Sequence, residues 1–96
     1  MHADYDSEAN AISITLVQGA CASRADRRHP RAIVALRDDE PVELQLLYPN
    51  LGVDEPLRAV ADHYGLDPEA LIAATSAALA APNRVVTLEV AVRSTI

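Results

Sequence analysis

The side chains in this 96-residue chain that could do chemistry are few and far apart. Cys21, His29, Asp62 and His63 are of the types that make up a nucleophile, a base and an orienting acid. Asp62 and His63 are neighbours on a helical pattern and so point in different directions, and no glycine-rich nucleophile turn surrounds Cys21. The sequence therefore predicts a protein that is not an enzyme. The three histidines and one cysteine show no metal-ligand spacing, so neither a metal nor a cofactor is expected.

A denser constellation is Arg24-Ala-Asp-Arg-Arg-His-Pro-Arg31, which holds four of the eight arginines. The guanidinium groups of Arg24, Arg27, Arg28 and Arg31 have the geometry to clamp a carboxylate or a phosphate. The same residues in a solvated loop would simply balance the acidic N-terminus and hairpin turn. Both readings stand on the sequence. Single-stranded nucleic acid is disfavoured, because no aromatic residue lies within the cluster to stack on a base.

Leu57 to Ser76 has helix-turn-helix spacing, with Ala61 small enough to lie under a second helix and Gly65 at the turn. A DNA-reading helix needs basic or amide side chains at its exposed start. This one has Asp67, Glu69, Ile72, Ala73 and Ser76, and its carboxylates would oppose the phosphates that supply most of the affinity. A packed helical pair without nucleic acid is the expectation.

The elements that position these residues follow from hydrophobic periodicity. Ala11 to Val17 alternates as a half-buried strand, Ala20 to Ala25 is a weaker second strand, and Arg24 to Arg31 reads as a solvated loop. Arg31 to Tyr48 reads as a β-hairpin broken by Asp38-Asp39-Glu40-Pro41, with Val42, Leu44, Leu46 and Tyr48 on the buried face of its second arm. Pro49-Asn-Leu-Gly52 ends that arm. Leu57, Val60, Ala61 and Tyr64 then stand at helical spacing, with Asp54 as the cap and Pro56 in the first turn. Asp67-Pro68-Glu69 starts a second helix that runs to about Ala80.

This second helix is apolar or small nearly all round. Leu71, Thr75, Ala78 and Leu79 form one face, and Ile72, Ala73, Ser76 and Ala80 form another that is predicted to pack against a second copy of the chain. The competing reading is that alanine, the best helix former, simply faces water there. Arg84 to Arg93 alternates as a final strand, with Val86, Leu88, Val90 and Val92 inward and Thr87, Glu89 and Arg93 outward. It either joins an edge of the same sheet or pairs with its copy.

The expected architecture is a single α+β domain over 1–96: a β-meander at 1–50, a helical pair at 54–81 and a final strand at 84–93. The order is βββ(β)ααβ, a mainly antiparallel sheet of four to five strands with two short helices packed on one face. Half of the residues are hydrophobic but only three are aromatic, so aliphatic side chains must fill the core. The net charge of −6 disfavours nucleic acid and anionic membranes. One cysteine fits a reducing cytoplasm, the acidic N-terminus is unlike a signal peptide, and eight arginines with no lysine suggest a GC-rich bacterial genome.

Tyr5-Asp-Ser-Glu-Ala-Asn-Ala-Ile-Ser-Ile14 resembles the opening of a small bacterial family known only as domain of unknown function 2283. Its members begin with Tyr-Asp, an Asp-Ala and an alternating strand, followed by a hairpin comparable to Ile33 to Leu47. The likeness covers the first half of the chain. Asn10 stands where Asp is usual, and Asp38-Asp39-Glu40-Pro41 replaces an Asp-Gly turn. The resemblance implies the meander, and through members that look like partners of small toxin-like proteins it implies an interaction role. The sequence thus predicts a self-associating interaction or regulatory module, an antitoxin-like neutralising partner of a basic protein. The alternative is a small-anion or ligand binder that uses the arginine loop.

Overall fold

The computed structural model describes residues 1–89, in which six antiparallel strands form one sheet. The strands are β1 (His2–Asp6), β2 (Ala11–Thr15), β3 (Arg24–His29), β4 (Ala32–Arg37), β5 (Glu40–Leu47) and β6 (Val85–Thr87). Helices α1 (Asp54–Tyr64) and α2 (Pro68–Ala80) connect β5 to β6, and the order across the sheet is β3-β4-β5-β2-β1-β6. The α+β fold is as expected, with six strands instead of four to five. No helix among the described residues is long and apolar enough to cross a membrane.

Two strands come from segments with little apolar periodicity. His2–Asp6, which precedes the first strand expected from periodicity, is β1 and pairs with β2 on one side and β6 on the other. The ladder, not the composition, makes it a strand: each neighbour satisfies its backbone polar groups. Arg24–His29, expected to be a loop, is β3 and pairs with β4 with a register shift between Asp26 and His29. The last strand joins the edge of the same sheet beside β1. Its expected continuation through Val90, Val92 and Arg93 lies outside the described residues.

The hairpin closes on two residues rather than four. Asp38 (φ 50°) and Asp39 (φ 67°) take the paired left-handed conformations that match strand twist in a tight turn. Opposite Leu36 and Pro41 the register slips by one residue, which lets both Pro41 and Val42 be buried. Proline fits there because a bulge removes the need for one ladder donor.

Ile12, Ile14, Leu36, Leu44 and Leu46 from the sheet meet Leu57 and Leu71 from the helices, all fully buried. Each contributes about 1.5–3 kcal/mol relative to exposure. Helix α1 lies over β4 and β5, and α2 lies over β1, β2 and β6. Asp67 caps α2 by accepting from the Glu69 amide at 3.0 Å, and left-handed Gly65 (φ 67°) ends α1. At the start of α1 the cap position falls to Val53, and Asp54 is the first helical residue.

The faces of α2 differ in part from expectation. Leu71, Ala74, Thr75 and Ala78 are buried, but Leu79 is exposed. Of the predicted interface, Ala73, Ser76 and Ala80 are exposed, whereas Ile72 is half-buried against the chain's own core. The Thr75 hydroxyl is buried with no hydrogen-bond partner among the described residues.

Candidate functional site

The four arginines read as one anion site do not converge. Arg24 pairs with Asp39 in the hairpin turn, both side chains being mostly solvated. Arg28 forks onto Asp26, its Nε lying 3.0 Å from each carboxylate oxygen. Arg31 turns onto the backbone, donating to the carbonyls of Leu47 (3.3 Å), Tyr48 (2.8 Å) and Gly52. Among the described residues, Arg27 alone of the four has no such partner. Asp26 thus already fills the anion position of Arg28, and backbone carbonyls fill that of Arg31.

The other candidates are also dispersed. Cys21 is exposed in the β2–β3 connection, and Asp62 is exposed on α1. His29 faces Glu55 (2.9 Å), and His63 lies against the Arg28 guanidinium. Among the described residues no group of three or more His, Cys, Asp or Glu side chains could hold a metal ion.

Between β3 and α1 lies an open cleft of about 250 Å³, floored by Val34 and Val60 and edged by Asp26, Arg28, His63 and Tyr64. Asp26 accepts from the Arg28 side chain, the Tyr64 hydroxyl and the Arg28 amide, and these donors hold its carboxyl well below the usual carboxylate range. Burial and the hydrogen bond to Asp26 push the Tyr64 phenol up. The fork to Asp26 likewise holds the Arg28 guanidinium charged. With its donors and acceptors matched, this cluster acts as a strap joining β3 to α1.

A second constellation, missed at the sequence level, is at the end of the sheet where β5 leads into α1. Tyr48 is left-handed (φ 52°) and half exposed, where extending the strand period had placed it inside. For a bulky residue this conformation costs about 1–3 kcal/mol and persists only where its surroundings enforce it. They do so here. The Tyr48 amide donates to the Asn10 carbonyl at 2.9 Å, Arg31 holds the carbonyls on either side, and Asn10 donates to the Asn50 side chain at 2.7 Å. Asn10 is itself left-handed (φ 52°) and accepts from the Tyr5 hydroxyl at 3.1 Å.

This rim continues to Asn83 (φ 61°), whose amide donates to the Tyr5 carbonyl at 2.7 Å and whose side chain bonds Ser7. Leu51, 66 % exposed, stands beside Tyr48 on a single turn of 3₁₀ helix. Glu8, Asp54 and Glu55, all exposed, lie in the adjoining segments. The signal that could have found this site is Tyr48-Pro-Asn-Leu-Gly52 itself, in which an aromatic and a leucine interrupt turn residues where a core has no use for them.

Compared with known proteins, the chain matches no family model, no curated protein and no solved structure.

Proposed function

We propose that the protein is an interaction module that binds a basic protein through the end bearing Tyr48 and Leu51. The observation that carries this is the exposed aromatic and leucine on a backbone clamped from three sides by Arg31, Asn10 and Asn50. Rigid, solvent-facing anchors lose little entropy on association, and Tyr is enriched among the residues that dominate interface energies. Glu8, Asp54 and Glu55 around them, with a net charge of −6, favour a cationic partner.

The test is co-purification from the native host at low salt with the parent chain and with Tyr48→Ala/Leu51→Ser. The parent should retain a basic protein that elutes as salt rises, and the variant should lose it while keeping its melting temperature. Retention by the variant, or binding indifferent to salt, would sink the proposal. Self-association is the second reading, favoured by the edge of β6, beyond which no strand lies among the described residues.

A further inference from the structure

We propose that two copies of this chain pair antiparallel through β6 about a two-fold axis, joining their sheets into one. This deepens the self-association reading and is independent of the Tyr48 surface, which lies three strands away at about 14 Å.

The ladder between β1 and β6 fixes which way the β6 backbone points. Met1 and Leu88 exchange both hydrogen bonds, N to O at 3.1 Å and 2.9 Å, so theirs is a hydrogen-bonded pair of the antiparallel ladder. Such pairs alternate, which makes Ala3 and Val86 the next one. The N–H and C=O groups of Val85 and Thr87 must therefore point away from β1. Among the described residues no strand lies beyond them.

That edge is suited to its own copy. With Val86 on the axis, Val85 of one chain faces Thr87 of the other, and the two symmetric pairs exchange four backbone hydrogen bonds. Val85-Val86-Thr87 contains no charge, proline or bulge, and Val85 is 69 % exposed. The flanks are of opposite sign, Arg84 before the strand and Glu89 after it, both exposed. In the antiparallel register Arg84 comes opposite Leu88 of the second copy and Glu89 opposite Asn83, so like charges do not meet across the seam, whereas a parallel pairing would set like beside like. Helix α2 lies over β1, β2 and β6, and its exposed residues include the small Ala73, Ser76 and Ala80 with the apolar Leu79. So short a seam makes a weak dimer, micromolar or weaker.

The experiment is sedimentation equilibrium of the full chain and of its Val85→Pro variant from micromolar to millimolar concentration. The parent should pass from monomer to dimer mass. Val85→Pro, which removes only an outward N–H at the first residue of an edge strand, should abolish the dimer with the melting temperature retained. A parent that stays monomeric at millimolar concentration overturns the proposal. So does a dimer indifferent to Val85→Pro.

Discussion

Strand β3 lies at one edge of the sheet with Arg24, Arg27 and Arg28 along it, a register shift in its middle and a side-chain strap to α1. Strand β6, at the other edge, has three uncharged residues, no irregularity and an exposed valine. Charge and bulges are the usual means by which a sheet edge is kept from pairing with foreign strands. The arginines that looked like a ligand site thus read more simply as the defence of one edge, a defence that the other lacks among the described residues.

The comparison can be broken from either side. The largest effect is expected at the strap. Asp26→Ala removes the carboxylate shared by the Tyr64 hydroxyl and the Arg28 fork, and should cost about 2 kcal/mol in urea denaturation, with amide exchange faster in β3 and unchanged in β6. Carrying the β3 defence across to β6 should matter next: Val85→Lys should weaken self-association about tenfold, while changing stability by no more than about 0.5 kcal/mol. A loss of fold instead would mean that Val85 is needed by its own chain.

Thr75→Val, which removes a buried hydroxyl that has no partner among the described residues, should stabilise the whole domain by about 1 kcal/mol and slow exchange at both edges equally. An effect on one edge alone would show that the sheet does not open as one unit. Acid should act on β3 selectively. The folded pKa of Asp26 is lowered, so its contribution is complete above the unfolded value of about 4 and is lost as pH falls through the folded one. Stability should hold from neutrality to about pH 4 and decline below, and Asp26→Asn should make that decline shallower. A variant with the parent's slope would remove Asp26 from the account. The smallest change is Arg27→Ser, expected within about 0.5 kcal/mol by thermal melting, because that side chain has no ion pair among the described residues to lose.

What the sequence made legible was local. Asp67-Pro68-Glu69 marks the start of α2 because cap, proline and acid act within one turn, and Val42, Leu44 and Leu46 reveal β5 because burial imposes a period of two. Strands β1 and β3 were hidden because His-Ala-Asp-Tyr-Asp and Arg-Ala-Asp-Arg-Arg-His have almost no apolar alternation, and only the neighbouring ladders make them strands. The strap and the Tyr48 rim were out of reach for a related reason. Asp26 and Tyr64 are 38 residues apart, and Arg31 takes its role from carbonyls 16 to 21 residues downstream. The arginine cluster was visible as a composition, but its meaning depended on partners that only the fold supplies.

Amide hydrogen exchange of β3 and β6 against protein concentration tests the contrast between the edges most directly. Protection at Val85 and Thr87, whose N–H groups point outward, should rise with concentration, while that of β3 stays constant. Val85 and Thr87 exchanging at the same rate at every concentration, or β3 gaining protection in step with them, would contradict the assignment of one edge as closed and the other as open.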